Sequence, residues 1–159
     1  MGETTSTEAS FPVAVGPDLS HNGFEDAFVA KVNSSGTALS YCGYIGGSNY
    51  ESSCGIAVES GGNVYVAGYT ESSEDTFPVM TGPDLSYNGL EDAFVAKLNS
   101  SAAVVYCGYL GGSGDDNVNG IDIDSSGNAY VAGWTDSGED TFPVTIGPDL
   151  TYNDLNDAF

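Results

Sequence analysis

Arginine is absent from this sequence, lysine occurs twice and histidine once, against 23 Asp and Glu. The resulting formal charge of −21 excludes electrostatic binding to nucleic acid or to an anionic membrane surface, because both need clustered Lys and Arg to neutralise phosphates. With so few basic groups, a Ser/His/Asp or Cys/His catalytic arrangement has almost no parts to be built from. No apolar run approaches the roughly 18 residues of a membrane helix, and MGETTSTEASFPV lacks the basic and apolar regions of a secretory leader. Met1-Gly2 and Ser6 open like a myristoylation site, but no second membrane signal accompanies them. Cysteine is scarce too: three residues, with neither C-x-x-C nor Cys/His clustering, offer no zinc-type site.

What is present points to β structure. Hydrophobic residues make up 40% of the 159, including 10 Tyr and 7 Phe, enough for a core and unlike a disordered acidic tail. The apolar stretches are short and rich in Val, Ile, Tyr and Phe, and 22 glycines punctuate them, so the expectation is an all-β protein.

The chain is also a copy of itself. Phe11-Pro12-Val13 recurs at Phe77-Pro78-Val79 and Phe142-Pro143-Val144, spacings of 66 and 65 residues. In the same register stand Gly16-Pro17-Asp18-Leu19, Gly82-Pro83-Asp84-Leu85 and Gly147-Pro148-Asp149-Leu150, then Asp26-Ala27-Phe28, Asp92-Ala93-Phe94 and Asp157-Ala158-Phe159. Tyr41-Cys42-Gly43-Tyr44 matches Tyr106-Cys107-Gly108-Tyr109. A fixed period is one supersecondary unit in tandem. The expected organisation is a single repeat module over 1–159, with units at approximately 2–67, 68–132 and a partial 133–159.

One period reads as four strands. Residues 55–59 and 63–70 flank a Ser-Gly-Gly turn, and after a long connection 93–98 and 104–110 flank an Asn-Ser-Ser turn, forming an antiparallel meander. Many positions are apolar on both faces, as in a sheet covered on each side by another sheet. That pattern suits a propeller blade.

The run Gly-Ile-Asp-Ile-Asp-Ser-Ser-Gly-Asn-Ala-Tyr-Val-Ala-Gly at 120–133, with the Phe-Pro-Val, Asp-Ala-Phe-Val-Ala-Lys-Leu-Asn and Tyr-Cys-Gly-Tyr-Leu-Gly-Gly motifs, resembles the bacterial β-propeller repeat (SBBP) family. The resemblance spans essentially the whole chain. It implies a propeller-type array of four-stranded blades from a cell-surface or secreted protein, and it carries over no catalytic residue.

Strand counting gives about two blades: a complete one at 55–112, the last two strands of a preceding blade within 26–47, and the first two of a following blade within 120–135. Propellers typically close with about four to eight. Either the chain is a fragment of a longer array, beginning at the end of one strand and stopping inside another, or two-blade copies self-associate into a ring. A ring would duplicate the strand begun by Asp157-Ala158-Phe159, which favours the array.

The repeat also sorts candidate residues. His21 falls on Tyr87 and Tyr152, Trp134 on Tyr69 and Cys54 on Asn119, so each reads as packing, and three free, mostly buried thiols are expected. Gly111–Val118 fits a calcium-binding nonapeptide only once and reads as coincidence, and Asp122–Gly127 starts like an EF-hand loop but has Gly133 where its Glu should be and reads as a hairpin turn. Asn33-Ser34-Ser35 and Asn99-Ser100-Ser101 are glycosylation sequons at turn positions.

The long connections, 71–91 and 111–119, are expected on one rim, where functional residues concentrate. They supply Glu71, Glu74, Asp75, Asp84, Tyr87, Glu91, Asp115 and Asp116 as candidate ligand-binding residues. No cofactor is expected; if the carboxylates gather a metal, their oxygens suit calcium. The functional expectation is a non-catalytic structural or adhesive module, extracellular or at the cell surface, presenting this acidic face to a protein or carbohydrate. The alternative is a carbohydrate-active hydrolase or lyase working with paired carboxylates such as Asp115 and Asp116 near a central channel, which requires one carboxyl with a raised pKa.

Overall fold

The computed structural model describes residues 1–153 and 155–159. Among them there is no helix, and ten strands form three antiparallel sheets. The central sheet is a four-stranded meander of β4 (Glu51–Val58), β5 (Val64–Thr70), β6 (Asp92–Leu98) and β7 (Val104–Leu110) in sequential order. A preceding sheet holds β1 (Gly2–Thr4), β2 (Asp26–Val32) and β3 (Leu39–Ile45). A following sheet holds β8 (Asp116–Ile123), β9 (Ala129–Thr135) and β10 (Asp157–Ala158). All-β sheets of the propeller type are therefore what the chain forms.

The repeat extends to backbone register. Gly2, Glu3 and Thr4 pair with Phe28, Ala27 and Asp26 just as Gly68, Tyr69 and Thr70 pair with Phe94, Ala93 and Asp92. The inner strands β4 and β8 each carry a bulge, between Ser53 and Gly55 and between Val118 and Gly120. Each bulge presses on a glycine of the neighbouring strand. A Cβ on Gly68 would lie 1.9 Å from Ser52 O, and one on Gly133 2.0 Å from Asn117 O.

Turn chemistry follows the residues. Glu59 O accepts from Gly62 N, with Gly62 at φ +83°, and Asp124 O accepts from Gly127 N, with Gly127 at φ +82°. These are type I turns closed by a left-handed residue, which glycine adopts without a Cβ penalty. The Asp124 carboxylate accepts from Ser126 N and Asn128 N, so the EF-hand-like stretch is a hairpin turn, as expected.

The sheets stack through β4 and β8, which pack against one another while β8 also meets β5 and β6. Between the first and central sheets lies the main core, where Val29, Tyr41 and Ile45 pack with Val66, Phe94, Leu98 and Tyr109. Phe77, the Phe of the repeated Phe-Pro-Val, sits edge-on to Phe94 at 5.1 Å and tilted to Tyr109 at 5.7 Å. Burial on both faces is clearest in β5 and β6, where nearly every side chain is covered.

The connection between β5 and β6 does more than turn. It descends along the outer edge of β7, where Met80 N donates to Cys107 O, Cys107 N to Thr81 O and Tyr109 N to Asp84 O. Residues 14–18 cover β3 in the same way through Cys42 and Tyr44. The outermost strands thus have their free N–H and C=O groups occupied, a standard protection of sheet edges.

Candidate functional site

Two differences from the sequence expectations alter the site. The inner strands start earlier than 55 and 120, at Glu51 and Asp116, so the second connection is 111–115 and Asp116 belongs to a strand. Asp116 is also fully buried rather than on the rim. Its Oδ2 accepts from Gly112 N at 2.7 Å and Ser137 Oγ at 2.9 Å, which fixes the loop between β7 and β8 from below.

Three more candidates hold the long connection together. Asp84 accepts from Ser86 N at 3.0 Å and Asn88 Nδ2 at 2.8 Å. Glu74 Oε2 accepts from Tyr87 N at 3.1 Å, and its own and Tyr87's backbone N–H groups hold its pKa below the usual carboxylate range. The Tyr87 hydroxyl donates to Leu90 O while its ring packs 6.0 Å from Tyr109; burial, then Asp92, Glu71, Glu91 and Asp115, push its pKa up to about 12. The clasp is periodic: Glu8 accepts from His21 N and Glu139 from Tyr152 N. His21 takes the place of Tyr87, 5.7 Å from Tyr44.

The remaining candidates form the acidic rim. Glu91 and Asp115 bridge in parallel, bringing the two connections together, and Asp136 N donates to Asp115 O. Burial, then Asp115 and Glu71, raise the Glu91 pKa. Glu71, Glu91 and Asp115 are therefore one electrostatic group, with Asp75 exposed apart from it. Among the described residues, no group of three or more His, Cys, Asp or Glu stands close enough to hold a metal ion.

Sequence reasoning missed four things here. Asp26, Glu51 and Asp92 are fully buried beneath the rim, Asp92 beside Asp116 and Asp26 beside Glu51. The signal available was the unvarying Asp before Ala-Phe in all three copies, at a position where a surface loop tolerates any polar residue. The fourth is an exposed aromatic stack of Phe24 on Tyr50, at 5.0 Å and 17°. Leu90 and Asp115 occupy those places in the next copy, so the stack is not part of the repeated scaffold.

The thiols are free, Cys42 and Cys107 buried and Cys54 half-buried, with burial pushing Cys107 up to about 12. That protonated state removes nucleophilic character. A groove of about 610 Å³ opens between the central and following sheets, lined by Val95, Tyr106, Leu110, Ala129, Val131 and Phe159 among others. It is apolar and distant in character from the carboxylate rim.

A four-stranded meander stacked between two three-stranded antiparallel sheets, with a 65–66-residue period and the long loops on one rim, defines a structural repeat module of the propeller type. Residues 106–139 match the family model of the beta-propeller repeat, SBBP. This stretch runs from within β7 through β8 and β9 into the following loop; it contains the 120–133 run and Tyr-Cys-Gly-Tyr-Leu-Gly-Gly, but not the Phe-Pro-Val or Asp-Ala-Phe-Val-Ala-Lys-Leu-Asn motifs, so the match covers less of the chain than the resemblance did. No curated protein matches the chain.

Proposed function

We propose that the chain is a non-catalytic structural and adhesive module of a surface or secreted protein, presenting the acidic rim to a protein or carbohydrate partner. The observation that carries this reading is the division of labour among the carboxylates. Asp26, Glu51, Asp92 and Asp116 are buried in the scaffold, Glu74 and Asp84 close loops, and Glu71, Glu91 and Asp115 are grouped at the surface, where Glu91 meets Asn117 of β8. Phe24 and Tyr50 add an aromatic surface on the same type of loop. Such a face suits a partner with cationic groups, or a sugar that uses the carboxylates as acceptors and the ring as a stacking surface.

A hydrolase or lyase would need a raised-pKa carboxyl open to substrate. Burial does push Asp92 up to about 7, but Asp92 is 0% exposed, as is Asp116. The buried pair is sealed from any polysaccharide, which leaves the raised carboxyl of Glu91 on the rim as the group a catalytic reading would have to use, and an assay of reducing ends separates the two readings. Any metal taken by the rim would be calcium-like, because its donors are all oxygens.

The groove beside Phe159 supports a second part of the reading, in which further blades stack here, within the same chain or from another copy. At the preceding junction, Ala96, Leu98 and Cys107 of the central sheet belong to the closed core.

The test is a screen of immobilised chain against polysaccharides and basic proteins, with reducing ends measured alongside and calcium titrated in. The expected result is a ligand whose binding weakens about tenfold when Glu71, Glu91 and Asp115 are replaced by their amides. Release of reducing ends would replace this reading with the catalytic one.

A further inference from the structure

The buried carboxyls fall into two pairs, one at each junction between sheets. A Cβ on Gly46 would lie 2.6 Å from Asp26 Oδ1 and 2.8 Å from Glu51 Oε2. A Cβ on Gly111 would lie 2.6 Å from Asp92 Oδ1 and 3.0 Å from Asp116 Oδ2. Both members of each pair therefore flank a single point, with Asp26 and Asp92 at the starts of β2 and β6, and Glu51 and Asp116 at the starts of the next sheets' inner strands. All four residues are covered, and Asp26 Oδ1, Asp92 Oδ1 and Asp116 Oδ1 have no hydrogen-bond partner.

We propose that each junction holds a proton on its carboxyl pair, Asp26 with Glu51 and Asp92 with Asp116, so that the sheets stack most firmly in mild acid and loosen as the pairs ionise. Two buried like charges cannot both ionise at such proximity without a large cost, and a proton placed on an orphaned oxygen removes the charge and supplies the missing donor. No ammonium substitutes for that proton: Lys97 lies by Glu59 and Tyr65, and Lys31 by Tyr41, on the opposite ends of the β6 and β2 strands. The donors that do reach the pairs are N–H and hydroxyl groups: Asn22 N, Gly47 N and Thr70 Oγ1 at the first junction, Asn88 N, Gly112 N and Ser137 Oγ at the second. These N–H groups turn hydrogens toward the carboxylates, which argues against a metal between them.

The charged and titratable neighbours point the same way. Asp84 from the loop before β6 and Asp136 from the segment after β9 raise Asp92 and Asp116 respectively, while Tyr87 and Tyr109 face Asp92 as neutral phenols. Tyr109 also faces Glu51. At the first junction Asp18 raises Asp26 and Tyr44 faces it, while the Asn22 N–H, His21 and the Gly23 N–H act in the opposite direction and are outweighed by burial. Burial is the main cause of the raised pKa of all four carboxyls. Because the folded values lie above the unfolded ones, the stabilisation is complete below the ordinary carboxylate pKa of about 4 and is lost as pH rises through the folded value, about 7 for Asp92.

The experiment is thermal unfolding of the full chain across pH 4 to 8, for the native sequence, Asp92→Asn, and Asp122→Asn as an exposed control of equal charge change. The native midpoint is expected to fall by roughly 5 °C or more over this range, and by less than about half as much in Asp92→Asn. The control should follow the native slope. An equal flattening in Asp122→Asn would assign the slope to net charge and overturn the proposal. Carboxyl-carbon NMR of the unmodified chain, which needs no variant to fold, should show a member of each pair titrating above the ordinary carboxylate range; finding all four ionised at pH 5 overturns it. So does a midpoint raised by millimolar calcium in the native chain but not in Asp116→Asn, which would make the pair a cation site.

Discussion

The two junctions of this molecule are built from the same repeated residues and reach different degrees of closure. Between the first and central sheets, side chains from five strands, β2, β3, β5, β6 and β7, and the Phe77 loop enclose a continuous core. Between the central and following sheets, the buried set shrinks to Ala67, Ala93 and Val118, with Leu110, Val131 and Phe159 only partly covered. The inner strands are equivalent, β4 in one case and β8 in the other. What differs among the described residues is the outer half: the central sheet has β6 and β7, whereas β10 adds Asp157–Ala158 to the following sheet. A blade's inner strands position the junction, and its outer strands dry it.

Breaking the comparison most severely means removing its best-buried ring. Phe94→Ala should cost about 3–5 kcal/mol in urea unfolding, the range for a buried aromatic truncated to a methyl. Phe159→Ala, at the corresponding position of the following sheet, should cost about 1 kcal/mol, since Phe159 borders open space. Equal costs would mean that the two junctions are equally closed.

The glycines opposite the bulges give the next largest effect. Gly68→Ala puts a methyl 1.9 Å from Ser52 O, between two strands of the closed sheet, and should cost about 2–4 kcal/mol. Gly133→Ala meets an equal clash, but its sheet has room to shift, so a smaller loss is expected by the same measurement. The smallest effect sharpens the comparison by repair. Val64 of the closed junction corresponds to Ala129 beside the groove, and Ala129→Val should raise stability by about 0.5–1 kcal/mol, read as a midpoint increase of about 2 °C.

The repeat made the meander legible, because strands such as Val64–Thr70 are apolar, β-branched or aromatic throughout, and glycine turns bound them. The inner strands were read short for a physical reason. Glu51 and Asp116 are polar residues beside Ser and Gly, which mark loops, and the bulges after Ser53 and Val118 interrupt the alternation that marks a strand. The edge-covering role of residues 80–84 was hidden by Gly82-Pro83, whose composition says turn although the backbone of Met80, Thr81 and Asp84 pairs with β7. For the candidate site, one residue type covered three duties. A carboxylate that caps a loop, one that hides in a junction and one that faces solvent all read as Asp or Glu in a line of sequence, and only Glu74, Asp116 and Glu91 seen in place tell them apart.

The edge cover along β3 and β7 has an evolutionary consequence. Each period brings its own closing segment, 14–18 for one outer strand and 80–84 for the next, so duplicating a period adds a blade without exposing a new sticky margin. Copy number becomes a quantity that recombination can change in whole steps, and the rim, rather than the scaffold, is where successive copies are free to diverge, as Phe24 and Tyr50 have already done from Leu90 and Asp115.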